Sequence, residues 1–233
     1  MKKTQTVLAA AAMLFIIIAA LLTSFQLAIY GDPRYGFYEK LYEKYDVTED
    51  LHMELSDVME VTDYMMSYLI GEEEELSIVT EVDGHKQDFF NEQDRLHMAD
   101  VRNLFLGGLR LRTVLLVLAA GVILLLYFWK TDLRLYLSKA YKWALAVFLM
   151  AAAFLGIAFS IDFTACFRIF HEIFFTNDLW MFDPAEDYMI RMLPEGFFSD
   201  MVIRIGIIFL GFLFAIWLIF RVWKIFAEKG QEM

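Results

Sequence analysis

Residues 7–29 read VLAAAAMLFIIIAALLTSFQLAI, a run without a single charged side chain. An α-helix needs roughly 17 to 25 apolar residues to cross the hydrocarbon core of a bilayer, so this run is long enough to span a membrane. Lys2 and Lys3 precede it, as in a secretory signal peptide, but no small-x-small cleavage site follows, which favours a retained anchor. Three further apolar runs lie within residues 113–129, 143–160 and 202–223. The sequence therefore predicts an all-α membrane protein with four transmembrane helices.

Basic residues predict the orientation of these helices, because Lys and Arg next to membrane spans are held in the cytoplasm. The N-terminal lysine pair, the basic segment 130–142 and Lys224 after the last run all belong on that side. Both termini are therefore predicted to be cytoplasmic. The predicted order along the chain is a transmembrane helix over 1–29, an acidic extracytoplasmic cap over 30–112, a second transmembrane helix over 113–129, a basic cytoplasmic loop over 130–142, a third helix over 143–160, an extracytoplasmic loop over 161–201, a fourth helix over 202–223 and a cytoplasmic tail over 224–233.

The first outer piece is strongly acidic, since between Asp32 and Arg102 there are 20 Asp and Glu residues against 6 Lys and Arg residues. Such a surface repels the phosphates of nucleic acid, which is therefore not expected as a partner. Phe37, Leu41 and Tyr45 recur at helical spacing and predict that this cap is small and mostly helical. The sequence contains no phosphate-binding loop, dinucleotide fingerprint or His-Glu-x-x-His pair, so we expect neither a nucleotide nor a metal or other cofactor.

Two of the four histidines stand next to predicted spans on the same face of the membrane. His97 precedes the second span, and helical spacing places Asp94 and Asp100 on its face, where a carboxylate orients the imidazole and favours its charged form. His171 follows the third span among phenylalanines, with Arg168 three residues earlier, and this setting favours the neutral imidazole. One cationic and one neutral imidazole could divide the acid and base roles of an acyl transfer.

Each of these residues also has a simpler interpretation. His97 could belong to an exposed ion pair, and His171 could be a packed interfacial side chain. His52 lies among acidic residues and His85 follows a turn, so both are interpreted as solvated surface histidines. Cys166 is interpreted as a small buried hydrophobe, and the alternative is a nucleophilic thiol paired with His171.

Arginine and tryptophan at the outer helix ends predict contacts with the membrane surface. Arg110, Arg112 and Arg204 lie there against the general bias, either as anchors that reach the interface or as contacts for an anionic group. Trp180 is predicted to seat the second outer piece at the interface, where aromatic rings are favoured.

Six segments occur in a characteristic order: Phe89-Phe90-Asn91-Glu92, His97-Met98-Ala99-Asp100-Val101, Phe170-His171-Glu172-Ile173-Phe174-Phe175, Asp178-Leu179-Trp180, Phe182-Asp183-Pro184 and Leu193-Pro194-Glu195-Gly196-Phe197-Phe198. With their separation and the four-span layout, they resemble the Lit family, the lipoprotein intramolecular transacylases of Gram-positive bacteria. The resemblance covers nearly the whole chain.

The resemblance implies transfer of the sn-2 acyl chain from the diacylglyceryl group on a lipoprotein's N-terminal cysteine to that cysteine's own α-amine, which gives a lyso-form lipoprotein. Diacylated lipoproteins and membrane lipids would be the partners, and no cofactor is implied. His171 is then assigned as the base and His97 as the acid or oxyanion partner, although the two roles remain exchangeable. The supporting residues would be Asp94, Asp100, Arg168, Arg110 and Trp180.

Two other functions stay open on the residues alone. The chain could be a membrane sensor or accessory subunit without catalysis, in which case replacing both histidines would leave its function intact. It could also be a different lipid acyltransferase or a lipase, which would use an external acyl donor or water.

Overall fold

A computed structural model of the chain describes residues 2–229, with side chains as far as Phe226. Four of its helices are long and apolar enough to cross a membrane, which confirms the predicted fold class. These four are α1, α5, α6 and α9. The elements in chain order are α1 (Lys2–Tyr30), α2 (Gly36–Lys44), α3 (Val47–Leu51), α4 (Leu55–Ile70), β1 (Val79–Val82), β2 (His85–Asp88), α5 (Glu92–Phe128), α6 (Leu133–Ile161), α7 (Phe163–Phe174), α8 (Tyr188–Met192) and α9 (Glu195–Lys229).

The described residues divide into two compact units. The bundle unit comprises residues 2–27, 109–161 and 204–229, and the site unit comprises residues 28–108 and 162–203. Side chains from all four long helices form the core of the bundle unit, including Met13, Leu126, Tyr141 and Leu213. Tyr141 donates its hydroxyl hydrogen to the Leu213 carbonyl at 2.5 Å, which satisfies a polar group inside this apolar core.

The site unit has its own core, built around α2 and α4. Tyr42 and Thr62 are fully buried and share a hydrogen bond of 2.6 Å between their hydroxyl oxygens. The Tyr42 ring stacks on Phe197, with ring centroids 6.0 Å apart. The first turn of α9 therefore belongs to this core.

A β-hairpin that the sequence did not predict lies in the site unit. The strands β1 and β2 are antiparallel, and Val82 pairs with His85 across a turn in which Asp83 and Gly84 both have positive φ, 50° and 74°. Asp-Gly is favoured in such two-residue turns because both positions require the left-handed region. Arg191 of α8 donates to the Asp83 carboxylate at 2.8 Å, and this contact fixes the hairpin against α8.

The helices extend beyond the predicted membrane spans. The second begins at Glu92 and not near 113, and the third begins at Leu133, so most of the predicted loop 130–142 is helical. Hydropathy marks the part of a helix that lipid covers, whereas polar capping residues decide where the helix itself begins. Asp132 illustrates this, because its Oδ1 accepts a hydrogen bond from the Leu135 N–H at 3.0 Å. Of the predicted tail 224–233, residues 230–233 lie outside the described residues.

Candidate active site

His97 lies on the first turns of α5, and a reciprocal cap begins this helix. Asn91 Oδ1 accepts a hydrogen bond from the Asp94 N–H at 2.9 Å, and Asp94 Oδ2 accepts one from the Asn91 N–H at 3.0 Å. This pairing satisfies backbone donors that the start of a helix leaves without partners. His97 follows one turn later with only 5% of its surface exposed. The cap therefore fixes the backbone from which the imidazole projects.

His171 lies on α7, which begins where Asp162 Oδ1 accepts a hydrogen bond from the Ala165 N–H at 2.9 Å. Its ring Nδ1 is 2.8 Å from the carbonyl oxygen of Phe167, and a carbonyl can only accept, so Nδ1 carries the hydrogen. Burial lowers the pKa of His171, and the hydrogen bond to Phe167 opposes this in part. The neutral ring therefore presents Nε2 as a proton acceptor.

The two histidines meet although they are 74 positions apart in the sequence. Their ring centroids are 6.0 Å apart, and the planes are inclined at 31°. Phe175 contacts both rings, with centroid distances of 5.1 Å to His97 and 5.6 Å to His171. The fold thus places the two predicted histidines side by side.

Aromatic side chains surround the pair. The indole of Trp180 stacks on His171 at 4.9 Å, and the Phe167 ring lies 4.3 Å away on the same helix. Phe182 meets His97 edge-on at 5.3 Å. Trp180 therefore contacts a histidine directly, whereas the sequence predicted only that it seats the outer loop at the membrane interface. Such an apolar enclosure excludes water and strengthens polar interactions within it.

The carboxylates predicted to orient His97 are engaged elsewhere. Asp94 is fully buried, and its Oδ2 serves the helix cap, while Asp100 Oδ2 accepts a hydrogen bond from Asn177 at 2.9 Å. His97 Nδ1 and Asp94 Oδ1 are both buried without a hydrogen-bond partner among the described residues. Asp100 still favours the charged form of His97, but burial among aromatic rings and the neighbouring His171 outweigh it and disfavour the imidazolium.

The remaining candidates lie outside this enclosure. Arg168 is exposed and approaches Glu172 to 3.9 Å, and Arg110 is exposed in the bundle unit. Cys166 is half-buried. His52 is largely exposed and hydrogen-bonds to Asp83, which agrees with its predicted surface role. Within residues 2–229, no cluster of three His, Cys, Asp or Glu side chains is arranged to hold a metal ion.

Three polar residues near the site escaped the sequence analysis: Gln93, Asn177 and Asp187. Each makes a hydrogen bond between the start of α5 and the segment after α7, and these contacts join residues 77 to 96 positions apart. Only the spacing of Asn91 and Asp94 gave a local signal, as a capping pair before an apolar helix.

Four long apolar helices and a buried imidazole pair in an aromatic enclosure define a multi-pass membrane protein with the groups for proton transfer. The profile of the family described as Lipoprotein intramolecular transacylase Lit matches residues 10–198, and the chain belongs to this family. The protein is accordingly a membrane acyltransferase.

Solved structures support the fold. The integral membrane transacylase Lit from Bacillus cereus is 19% identical, with a TM-score of 0.77 over 100% of both chains. A variant of that protein with a histidine-to-arginine substitution is also 19% identical, with a TM-score of 0.69 over 99% of this chain and 94% of that one. No curated protein sequence matches the chain significantly.

Proposed function

We propose that this protein transfers the sn-2 acyl chain of a diacylated lipoprotein to the α-amine of the same N-terminal cysteine. The amine nitrogen attacks the ester carbonyl carbon, a carbon–nitrogen bond forms, and the bond to the glycerol oxygen breaks. A base takes the amine proton, and an acid returns a proton to the leaving alkoxide. Because amine and ester belong to one molecule, no external acyl donor is needed, and the site chiefly has to bring them together.

The observation that carries this proposal is the pair of buried imidazoles 6.0 Å apart. His171 suits the base, because its Nδ1 hydrogen is committed to the Phe167 carbonyl and its lowered pKa keeps Nε2 unprotonated near neutral pH. A hydrogen bond of this kind also fixes the ring orientation, so Nε2 has one direction in which to accept.

His97 suits the oxyanion partner, because its imidazolium is disfavoured and a neutral imidazole still donates one N–H hydrogen bond. The proton that His171 takes from the amine can then pass to the alkoxide. Its Nδ1 is buried and makes no hydrogen bond to any described residue, so the ring is available to a substrate. Buried polar atoms without partners are rare in native structures, and they are found where a ligand or reacting group completes them. In this assignment His97 donates to the ester oxygen on which negative charge develops. Trp180 supports the base by stacking on His171.

The surface of α7 supports a site at the depth of lipid esters. Ile169, Phe170, Ile173 and Phe174 are exposed on one face of this helix, and Ile173 is 70% exposed. Arg168 and Glu172 lie together on another face. A helix with this division lies in the membrane interface with its apolar face in the lipid. Only Asp162 separates α7 from the end of the spanning helix α6, which is consistent with that depth.

The distribution of basic residues supports an extracytoplasmic site with both termini in the cytoplasm. The basic residues Lys2 and Lys3 are at the start of α1, and the basic segment 130–142 joins the end of α5 to the start of α6. His97 is near the start of α5, and His171 follows the end of α6, so both histidines lie at the other ends of these helices. We therefore place the histidine pair at the outer surface of the cell membrane, where mature lipoproteins reside.

Mass spectrometry of a lipopeptide tests the reaction. The purified protein in lipid nanodiscs is incubated with a synthetic diacylated lipopeptide, in the presence of phospholipid with isotopically labelled acyl chains. The expected product is a lyso-form peptide with an unlabelled amide-linked chain. Label on the amine would instead identify an intermolecular acyltransferase, and free fatty acid without an amide product would identify a lipase.

Substitutions test the roles of the two histidines. His97→Ala and His171→Ala are each expected to reduce kcat by about 100-fold or more, since a positioned acid or base contributes roughly that much. His52→Ala is the matched control and should keep full activity, because His52 is exposed and contacts Asp83. Unchanged activity in either site variant would remove that histidine from the proposed chemistry.

A further inference from the structure

The segment between α7 and α8 has no regular secondary structure of its own. We name residues 177–187 the aromatic loop, because this stretch carries Trp180 and Phe182 and forms neither helix nor strand. Its Trp180 ring stacks on His171 and its Phe182 ring meets His97. The position of this loop therefore bears on the orientation of both imidazoles.

One side chain of α5 holds the middle of the aromatic loop. Gln93 Nε2 donates a hydrogen bond to the Leu179 carbonyl at 3.1 Å and another to the Met181 carbonyl at 3.0 Å. These two carbonyls flank Trp180 in the chain. Both hydrogens of a single amide are thus used to fix the backbone on either side of the indole. Gln93 lies one helical turn before His97 on the same helix.

Both ends of the aromatic loop are also tied to the start of α5. Near the beginning of the loop, Asn177 donates to Asp100 at 2.9 Å, and at its end Asp187 accepts from Asn91 at 2.5 Å. The second oxygen of Asp187 accepts from the Asp183 N–H at 2.6 Å and closes the last turn of the loop. The end contacts do not hold the middle of the aromatic loop, where Trp180 and Phe182 lie; Gln93 makes the hydrogen bonds there.

We propose that Gln93 is a positioning residue that sets the relative orientation of the two imidazoles through the aromatic loop. The inference rests on the proposed function of the histidine pair. His97 and His171 belong to different helices, and each is contacted by one ring of the aromatic loop. Gln93 fixes the backbone between those rings to the helix of His97, and this contact holds Trp180 against His171. The orientation of the base is thereby coupled to that of the oxyanion partner.

Gln93→Met tests this inference, because methionine has a similar length and shape but donates no hydrogen bond. We expect kcat for the acyl shift to fall about tenfold to 100-fold, since small misplacements of reacting groups have effects of that size. KM should change by less than about threefold, because the substitution removes no group that is proposed to contact the substrate. Gln93→Glu should be at least as severe, because its carboxylate would face two carbonyl oxygens.

Gln87→Met is the matched control. Gln87 is also half-buried in the site unit, and its Nε2 donates one hydrogen bond, to the Tyr188 hydroxyl at 2.9 Å outside the aromatic loop. The same substitution there removes a comparable contact without releasing Trp180. We expect its kcat to stay within about twofold of the unsubstituted protein.

The pH profile distinguishes positioning from a general structural role. If Trp180 and Phe182 move away, water reaches the imidazoles, and the acid limb of kcat/KM should move to higher pH. The charged groups on the surrounding elements are Arg168 and Glu172 on α7, Glu92, Asp94, Arg95, Asp100 and Arg102 on the first part of α5, and Asp178, Asp183, Glu186 and Asp187 on the aromatic loop. Gln93→Met changes none of these charges, so a moved limb reports exposure of the rings.

The outcomes separate this inference from the proposed function. If the unsubstituted protein makes no lyso-form product, the proposed function fails. If it is active and Gln93→Met retains kcat within about twofold, the positioning role is refuted while the function stands. A fall in kcat that matches a fall in melting temperature, with an unmoved acid limb, also refutes it and leaves Gln93 as a structural residue.

Discussion

Gly196→Ala probes how the first turn of α9 packs in the site unit. A Cβ built on Gly196 would meet Cε1 of the Tyr45 ring, and it would lie 2.6 Å from Cζ and 2.7 Å from the hydroxyl oxygen. Carbon atoms pack favourably at about 3.5 to 4.0 Å, so the ring or the helix has to move by roughly 1 Å. The Tyr45 hydroxyl donates to Asp200 Oδ2 at 3.0 Å, and this hydrogen bond resists movement of the ring.

The expected loss of stability follows from these contacts. Overpacking of this kind costs about 1–3 kcal/mol, and weakening the Tyr45 hydrogen bond adds about 1 kcal/mol. Alanine regains about 0.5–1 kcal/mol relative to glycine in a helix. The net destabilisation is about 1–3 kcal/mol, which corresponds to a melting temperature roughly 2–10 °C lower.

Thermal denaturation in detergent measures this effect, and Tyr45→Ala supplies the partner for a double-mutant cycle. Without the Tyr45 ring, Gly196→Ala should cost little, because the atoms that it meets are gone. Activity below the transition should stay within a few-fold of the unsubstituted protein. Equal destabilisation in both backgrounds, or a gain in stability in the unsubstituted one, would show that the close approach of Gly196 to Tyr45 does not govern this packing.

Three further predictions concern pH, topology and the stability of the site. The pKa of His171 in the folded protein lies below its ordinary value, so the acid limb of the kcat/KM profile should lie below about pH 6.5, and an acid limb at higher pH would contradict this. Stability should also decline as pH drops from about 6.5 towards the folded pKa, because the unfolded chain then binds a proton that the folded protein does not. In a Cys166→Ala background, an impermeant thiol reagent should label Glu73→Cys but not Lys139→Cys in intact cells, and the reverse pattern would invert the proposed orientation. His97→Phe should raise the melting temperature while abolishing the acyl shift, because it removes an unpaired buried polar group from an aromatic enclosure; a lower melting temperature would show that His97 is structurally satisfied.

The membrane spans were predictable because the hydrocarbon core of a bilayer requires a long run of apolar side chains. Residues 7–29 and the three later runs meet this need for apolar side chains in sequence alone, and α1, α5, α6 and α9 contain them except for Trp129, which follows the end of α5. Helix ends were less predictable, since they depend on single polar residues such as Asp132. The hairpin at Asp83 and Gly84 had a turn signal, but its four-residue strands carry no alternating apolar pattern for a strand prediction.

The histidine pair could be predicted in part and its surroundings could not. The predicted topology placed His97 and His171 on one side of the membrane, and the fold brings their rings together. Spacing within one helix also placed Asp94 and Asp100 near His97, but it could not show that Asn91 and Asn177 engage both carboxylates. The contacts of Gln93 depend on how two distant segments pack, which no local pattern encodes.

Two buried polar atoms without partners explain why so many hydrogen bonds fix the backbone around the site. His97 Nδ1 and Asp94 Oδ1 are buried and have no partner among the described residues, and each such atom costs about 1–3 kcal/mol in a folded protein. The cap at Asn91 and the contacts of Gln93 and Asp187 stabilise the surrounding backbone, so that it does not relax to satisfy these atoms. In the proposed reaction, the ester oxygen of the substrate accepts a hydrogen bond from His97 and supplies the partner that this ring lacks, while the amine donates to His171. Binding energy would then be gained where the reacting groups must meet, and the enclosure would favour the substrate that carries both groups on one molecule.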